Sequence, residues 1–396
     1  MKFASAISSE RQGEQAARDI ALSIAEALDG APPDLCLVFM SHQHRPATAS
    51  LLSRLHDGLH PAHLIGCTAD GVIGTDRELE REPALSVWAA SLPGVTIQGF
   101  HLSYQQTRDG GVIAGWPEPM PAAADEPIFL LLPEPHSMPG DELLERLNDE
   151  YPGCPVLGGM ASGAMAAGQN LLFLDREVHG DGAVGITMTG NVTVTTVVSQ
   201  GCRPVGKHFV VTKAQGNIIQ TLGGRPALAQ LQDVYASLPE HEKQLLSESL
   251  HLGRVINEYR STFGRGDFLV RNLMGFDQQS GAIAAADHFR AGQTVQFHVR
   301  DTDTAREDLR ELLRKAAETT HDVAGALLFS CNGRGQRLFG EPDQDVGALR
   351  ETIGPVPVAG FFAQGEIGPV GGRNFLHGFT ASVGLFVPKP PIAPAG

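Results

Sequence analysis

A glycine-punctuated phrase occurs three times in this chain of 396 residues, each time after an apolar run. Each copy reads two apolar residues, Gly, two variable residues, Ala, a polar residue and Gly. The copies occupy residues 64–71, 156–163 and 358–365. Internal repetition reveals the structural unit of a fold, and glycine marks the backbone positions that are most constrained. We therefore expect one unit to be repeated along the chain.

The same order of predicted elements surrounds each copy of the phrase. Buried strands are predicted before the copies, at residues 34–40, 127–132 and 323–330. Helices are predicted next, at residues 48–55, 140–150 and 343–352, and closing strands at 84–90, 182–188 and 378–386. A helical crossover implies parallel pairing of the strands it joins, whereas the phrase suits a hairpin to an antiparallel neighbour. The sequence thus predicts an α/β protein with mixed β-sheets and flanking helices, in two domains built from repeated strand-helix-strand-hairpin units.

The length of the chain and a long insertion before the third repeat predict the two domains. Alternating apolar runs and helical patterns fill the insertion, between residues 192 and 319. A helix is predicted before the first repeat, over residues 8–29, with Ser8 or Ser9 as its cap. The expected organisation is an N-terminal helix at 1–29, domains at 30–224 and 225–386, and a disordered, proline-rich tail at 387–396.

Composition excludes several classes of partner. Forty-five acidic residues against 30 Lys and Arg give a formal net charge of −15, which repels nucleic acid and anionic lipid. The sequence has no apolar run of membrane-spanning length and no signal peptide, so no membrane insertion is expected. The five scattered cysteines lack paired C-x-x-C spacing, which favours a reducing compartment, the cytoplasm. The glycines near residue 333 do not form a dinucleotide fingerprint and no P-loop occurs, so no cofactor is expected.

Several further phrases resemble the FIST family. They are Ser-Gln-Gly-Cys-Arg-Pro-Val-Gly at 199–206, Gly-Gly-Arg-Pro-Ala-Leu at 223–228, Phe-Ser-Cys-Asn-Gly-Arg-Gly at 329–335 and Leu-Phe-Gly at 338–340. Together with residues 65–74 they follow the order of the N-terminal and C-terminal halves of that family, over residues 30–386. The resemblance implies a sensory protein of signal transduction that binds a small ligand, with an amino acid or related carboxylate as the expected class. Because no output domain is recognised, it also implies an unidentified signalling partner.

The strongest candidate for ligand binding is the loop that follows the third buried strand. The loop consists of Ser330, Cys331, Asn332, Gly333, Arg334 and Gly335. Open α/β sheets bind ligands outside the carboxyl ends of their strands. The two glycines allow backbone N–H groups to approach a ligand, and the arginine offers a bidentate fork to a carboxylate. The alternative is a tight strand-to-loop turn with a solvated arginine.

Other residues are candidates by type and position. Phe361 or Phe362 would supply an apolar wall, and the phrases offer polar groups that can meet an amino group or hydroxyl. These polar residues are Asp70, Ser162, Gln364 and Glu366. Arg203 and Arg225 follow sharp turns and are further candidates for an anionic ligand, although an ion pair with an acidic side chain is an equal expectation for each.

Two other classes of function compete with ligand sensing. Cys331 is a candidate nucleophile of a thiol-dependent hydrolase or transferase, since the neighbouring Arg334 would favour the thiolate. A small buried thiol is the simpler interpretation, and an interaction scaffold is the third class. The spacing of four residues superficially resembles a zinc site: His56, His60, His63 and Cys67. Pro61 interrupts any helix that would align the first two histidines, so no metal is expected.

Overall fold

The computed structural model describes residues 1–108, 110–260, 262–264 and 266–389. The chain divides into two compact units. Unit 1 contains the residues up to Val198 and those from Arg310 onward, and unit 2 is Ser199–Leu309. Of the predicted disordered tail, Val387 and Pro388 are the last residues of a strand, and residues 390–396 lie outside the described residues.

Unit 1 contains three mixed β-sheets that share one strand arrangement. The first sheet has the spatial order β1 (Lys2–Ser8), β6 (Leu85–Ser91), β2 (Leu35–Ser41), β3 (His63–Ala69), β11 (Leu172–Leu174) and β12 (Glu177–His179). The second has the order β25 (Arg373–His377), β24 (Glu366–Val370), β10 (Val156–Gly159), β9 (Ile128–Pro133), β13 (Ala183–Gly190), β7 (Val95–Thr107) and β8 (Gly110–Ala114). The third has the order β14 (Val192–Ser199), β26 (Ala381–Pro388), β22 (Gly325–Cys331), β23 (Val358–Ala363), β4 (Gly71–Ile73) and β5 (Glu78–Glu80).

A parallel strand pair lies at the centre of each sheet, and a helix joins its two strands. The pairs are β2 with β3, β9 with β10, and β22 with β23. The joining helices are α2 (Thr48–Leu59), α3 (Gly140–Glu150) and α8 (Gln344–Ile353). The closing strands β6, β13 and β26 then pair antiparallel with the first strand of each pair. The predicted α/β fold with mixed sheets and flanking helices is confirmed.

The N-terminal segment contains a strand that sequence reasoning missed. The strand β1 pairs antiparallel with β6, and the helix α1 covers only Gly13–Ala27 of the 22 residues predicted to be helical. Its N-cap is Gln12, with no side-chain capping hydrogen bond, so the expected serine cap is wrong. The apolar spacing of α1 is correct, because Ala17, Ile20 and Ile24 are all buried.

Each glycine phrase carries the chain from one sheet into another. The hairpin β4–β5 follows the first phrase and pairs with β23 of the third sheet. The hairpin β11–β12 follows the second phrase and pairs with β3, and β24–β25 follows the third phrase and pairs with β10. The predicted hairpins therefore exist, but the expectation that the phrase itself turns between neighbouring strands is wrong. The three repeats exchange hairpins in a closed cycle.

Close approach between parallel strands explains the first glycine of the phrase. In each repeat this glycine lies opposite a residue of the partner strand whose carbonyl oxygen it nearly touches. The pairs are Gly66 with Val38, Gly158 with Leu131 and Gly360 with Leu328. A Cβ atom added to these glycines would lie 2.0, 1.9 and 1.7 Å, respectively, from that oxygen. Any larger residue would force the two strands apart, so this position requires glycine.

The three sheets of unit 1 share one apolar core. Phe39 from the first sheet, Leu130 from the second, and Phe329 and Phe361 from the third belong to it and are completely buried. Helices cover outer faces of the sheets: α1 and α2 pack on the first sheet, and α3 packs on the second. Two further helices, α6 (Thr302–Thr319) and α7 (Gly335–Phe339), precede and follow β22. No helix in the described part of the chain is long and apolar enough to cross a membrane.

Unit 2 occupies the predicted insertion in the third repeat. Its strands have the order β15 (Cys202–Gln215), β21 (Thr294–Arg300), β18 (Leu250–Val255), β19 (Phe268–Asp277), β20 (Ala282–Ala285), β16 (Ile218–Leu222) and β17 (Arg225–Pro226). An additional pairing of β15 with β16 closes six of them into a ring. The helices α4 (Ala227–Ser237) and α5 (Glu240–Glu248) contribute to its core beside Phe209 and Phe297.

Candidate functional site

The predicted binding loop forms a tight turn at the carboxyl end of β22. Cys331 is the last residue of that strand, and the N–H of Asn332 donates to the carbonyl oxygen of Ala363 at 2.8 Å. The N–H of Arg334 donates to the carbonyl oxygen of Cys331 at 2.8 Å, and α7 begins at Gly335. Gly335 has a φ of +56°, which favours glycine. The loop therefore joins two regular elements within four residues.

Arg334 binds a carboxylate of the protein itself. Its Nε and Nη2 atoms donate to the two carboxylate oxygens of Asp345, at 2.8 and 2.7 Å, and its side chain is 0% exposed. The hydroxyl of Ser330 donates to the same carboxylate at 2.6 Å. The guanidinium also lies 5.3 Å from the centre of the Phe339 ring. The guanidinium group that the sequence assigns to a ligand carboxylate is thus bound to Asp345 inside the protein.

A second buried carboxylate completes this group, which we call the interior charge cluster: Arg334, Asp345, Ser330 and Glu78. Glu78 lies on β5, the hairpin contributed by the first repeat, and its Oε1 accepts the N–H groups of Asp345 and Val346 at 3.0 and 2.9 Å. These two N–H groups belong to the first turn of α8, which lacks intrahelical acceptors for them. Burial first, and then the negative charge of Asp345, raise the pKa of Glu78 to about 8.

The polar residues of the phrases meet beside this cluster, in what we call the central junction: Asp70, Ser162, Asn332, Arg337 and Gln364. The buried hydroxyl of Ser162 accepts the N–H of Asp70 at 2.8 Å and donates to the carbonyl oxygen of Phe362, so it connects all three phrases. The N–H of Gln364 donates to the carbonyl oxygen of Met160 at 3.2 Å. The ends of the three glycine phrases therefore lie together at the central junction.

Arg337 brings a cation to the central junction. Its Nη2 lies 3.0 Å from a carboxylate oxygen of Asp70, and its Nη1 donates to the carbonyl oxygen of Asn332 at 2.8 Å. The side chains of Arg337 and Asp70 are 45% and 34% exposed, respectively. The junction thus presents Arg337 and Asp70 to solvent at the carboxyl ends of β22 and β3, and the half-buried carboxylate of Glu80 lies close enough to interact with both.

Comparison with known proteins agrees with this architecture. The FIST N domain model matches residues 34–225, and the FIST C domain model matches residues 227–369. The chain belongs to the FIST family. FIST domains are associated with sensory roles in signal transduction. The boundary between the two FIST regions falls inside unit 2, so each family region contributes strands to both compact units.

Full-length relatives occur in mycobacteria. The "Uncharacterized protein Rv0628c" of Mycobacterium tuberculosis is 42% identical over 388 residues, which are 98% of this chain and 100% of the relative. The "Uncharacterized protein Mb0898c" of Mycobacterium bovis is 40% identical over 388 residues, 98% of this chain and 99% of the relative. The sequence similarity thus covers nearly the whole length of this chain and of these relatives.

Cys331 of the FIST C region is a buried thiol. Burial first, and then the nearby carboxylate of Glu366, raise its pKa to about 12. The expectation that Arg334 would favour the thiolate fails, because that arginine is paired with Asp345. The N–H of Gly333 donates to Cys331 Sγ at 3.4 Å. Near neutral pH this sulfur is held as the thiol, which is the poor form for nucleophilic attack.

The remaining candidates from the sequence occupy different environments. Phe361 and Phe362 are buried, and the ring of Phe361 lies 4.9 Å from that of Phe39 in the core of unit 1. Gln364 is exposed at the central junction. Glu366 is completely buried, and its Oε2 accepts the N–H of Thr380 at 2.9 Å.

The two other candidate arginines lie in unit 2, where each forms ion pairs with acidic side chains. Arg203 pairs with Glu242 at 3.0 Å and with Asp301 at 3.5 Å. Arg225 pairs with Asp233 at 2.6 Å on an exposed surface. The loop and the phrases belong to unit 1, so the structure places the sequence candidates in two separate units.

The histidines near the first phrase have individual partners. His56 Nε2 lies 2.7 Å from the carbonyl oxygen of Asp175, and His63 lies 3.6 Å from the carboxylate of the same residue. The neighbouring carboxylate of Asp175 raises the pKa of His63. Within the described residues, no group of three or more His, Cys, Asp or Glu side chains is arranged to hold a metal ion.

Sequence reasoning missed Arg337, Glu78 and Asp345. Arg337 follows the recognised loop directly, and its position on α7, one turn after Arg334, was the available signal. Asp345 lies in the first turn of α8, where an acidic residue ordinarily serves the helix dipole. No local sequence pattern indicates a role for Glu78, because its partners are more than 260 residues away in the chain.

Proposed function

We propose that this FIST protein is a sensor that binds a small amino acid or related carboxylate at the central junction. The ion pair between Arg337 and Asp70 carries the proposal. Arg337 would bind the carboxylate of the ligand, and Asp70 would bind its ammonium group. An amino acid zwitterion carries one charge complementary to each of these two side chains.

The electrostatics of the junction support this choice of ligand. The chain carries a formal charge of −15, so an anionic group is attracted only where a local cation outweighs the general field. Arg337 supplies that cation on the short helix α7, which begins directly after the binding loop. A half-exposed ion pair contributes about 0–1 kcal/mol, so a ligand can replace it at little cost.

The polar groups around the pair would position the rest of the ligand. The side chains of Asn332 and Gln364 offer amide donors and acceptors to the ligand. Ser162 is committed to protein partners on both sides, so its role is to hold Asp70 in place. Arg334, Phe361 and Glu366 would act by supporting the site from beneath.

The proposed signal is a change in occupancy that a separate signalling partner detects. The junction joins all three repeats through the hydrogen bonds of one hydroxyl, so a ligand there contacts the segments through which the repeats exchange hairpins. We place this sensing in the cytoplasm, because all five cysteines are free and buried, as a reducing compartment permits.

A thermal-shift panel of the standard amino acids and related carboxylates tests the proposal, since a ligand that binds the folded state raises its apparent stability. We expect at least one compound to stabilise the wild-type protein and to be recovered unchanged. Arg337→Ala and Asp70→Asn should abolish that shift.

Arg18→Ala, which removes an exposed arginine from α1, is the matched control and should retain the shift. A stabilising compound whose effect survives in both Arg337→Ala and Asp70→Asn would overturn the assignment of the site. If no compound stabilises the wild-type protein, the proposed ligand class is wrong.

A further inference from the structure

A cavity of about 520 Å³ lies in unit 1 at the amino ends of β9 and β10. Ile128, the first residue of β9, lines it, as does Pro155, which precedes β10. Val192 and Val194 of β14 form another part of the wall. The central junction lies at the carboxyl ends of the parallel pairs, so this cavity is at the opposite end of the strands.

Hydrogen bonds fix the walls of the cavity. The carbonyl oxygen of Cys154 accepts Asn374 Nδ2 at 2.9 Å, and the carbonyl oxygen of Pro155 accepts the N–H of Phe129 at 3.0 Å. The N–H of Lys389 donates to the carbonyl oxygen of Asn191 at 2.7 Å, which anchors the chain after β26. The cavity is therefore formed without a ligand, and its volume is within the range of small-molecule sites.

The lining exposes somewhat more polar than apolar surface, and it combines apolar side chains with one ion pair. In the described part of the chain, the charged side chains that line the cavity are Lys389 and Glu126, paired at 3.0 Å. Their side chains are 41% and 75% exposed, respectively, so the pair contributes little to stability. The ammonium group of Lys389 has three donors, and it can bind a second carboxylate beside that of Glu126.

We propose that this cavity is a second binding site, for an apolar carboxylic acid. The hydrocarbon part of the ligand would contact the prolines and valines, and its carboxylate would bind Lys389. Glu126 extends mostly into solvent, so it is a poor recognition group for an apolar amine. The Cys154 thiol lines the same cavity, and burial raises its pKa, so it would meet the ligand as a neutral group.

A fluorinated biphenyl carboxylate and the matching biphenyl methylamine test this site in the full-length protein. Fluorine NMR of the probe measures binding, and the rate at which iodoacetamide alkylates Cys154, followed by peptide mass spectrometry, reports where it binds. We expect the carboxylate to bind and to slow alkylation of Cys154, and the amine to bind at least about tenfold more weakly.

Two variants on the rim of the cavity test the assigned contacts without changing the core. Lys389→Gln should weaken binding of the carboxylate about tenfold or more, because a charge-assisted hydrogen bond is lost. Ala124→Trp adds bulk from an exposed turn that lines the cavity and should abolish both binding and protection of Cys154.

Lys213→Gln, at an exposed position of unit 2, and Arg337→Ala, at the central junction, are the controls and should leave binding of the biphenyl carboxylate unchanged. The proposal is overturned if the wild-type protein does not bind the carboxylate at millimolar concentration, or if the amine binds as tightly. It is also overturned if Lys389→Gln and Ala124→Trp both bind like the wild type. Loss of binding in Arg337→Ala would instead assign the probe to the central junction.

Discussion

Two arginines one helical turn apart have opposite surroundings in this FIST protein. Arg334 is completely buried and forms two parallel hydrogen bonds to Asp345. Arg337 is half-exposed and pairs with Asp70, which is also accessible to solvent. The first arginine belongs to the interior charge cluster and the second to the central junction. The two arginines are therefore close in the sequence but differ in exposure: one is buried in the structure, and a ligand can reach the other.

Removing Arg334 and removing Arg337 would have different consequences for their acidic partners. Without Arg334, the buried carboxylate of Asp345 would lack its cation, and a buried charge without a partner is costly. Without Arg337, Asp70 would simply be hydrated, because it already contacts solvent. The interior charge cluster is therefore expected to control stability, and the central junction to control ligand binding.

The largest expected effect comes from Arg334→Ala, which should destabilise unit 1 by about 3–5 kcal/mol. Denaturant unfolding followed by tryptophan fluorescence measures this change in unit 1, since both tryptophans, Trp88 and Trp116, lie there. A double variant, Arg334→Met with Asp345→Leu, should be less destabilised than the sum of the two single variants, because it removes both charges together. Simple additivity would show that the pair does not stabilise the fold.

A smaller effect is expected from the pH dependence of Glu78. Its pKa of about 8 in the folded protein exceeds the ordinary value of 4.5, so the folded state binds more protons than the unfolded state between these pH values. Stability therefore falls as the pH rises through that window. Relative to Glu78→Gln, the wild-type protein should lose about 2 kcal/mol of stability between pH 6 and pH 8.

Urea unfolding of the wild-type protein and of Glu78→Gln at several pH values measures this difference. Glu82→Gln, an exposed glutamate beyond β5, is the control and should follow the wild-type pH dependence. The groups that face Glu78 are Asp345, Asp343, Glu80 and the N–H of Val346, and the three carboxylates all disfavour its ionisation. Parallel curves for wild type and Glu78→Gln would show that Glu78 keeps an ordinary pKa.

The sequence predicts local elements well and fails where long-range pairing decides the outcome. The helix α3 begins and ends at the predicted residues, Gly140 and Glu150, because its apolar spacing is a local property. The exchange of hairpins was not predictable, since β4 pairs with β23 almost 290 residues later, as in the contact of Ile73 with Gly360. Apolar alternation shows that a strand exists, but not which repeat it joins.

The loop that the sequence singles out lies next to the central junction, and the binding roles of its residues stay predictions. Nothing local distinguishes Arg334 from Arg337, since both follow the same strand. The deciding partners come from distant segments: Asp345 from α8 and Asp70 from the first phrase. The glycine phrases, which the sequence indicates as turns, also contribute polar residues to the central junction. Three-dimensional exposure, rather than residue type, separates binding candidates from structural residues.

The smallest expected effect on stability is that of Arg337→Ala, at most about 1 kcal/mol in the same fluorescence-detected unfolding of unit 1. The effect is small because Arg337 and Asp70 both remain hydrated in the folded state. A loss as large as that expected for Arg334→Ala would mean that Arg337 belongs to the structural network, and the comparison between the two arginines would collapse. A small loss of stability together with a complete loss of the ligand-induced thermal shift would assign the binding role to Arg337.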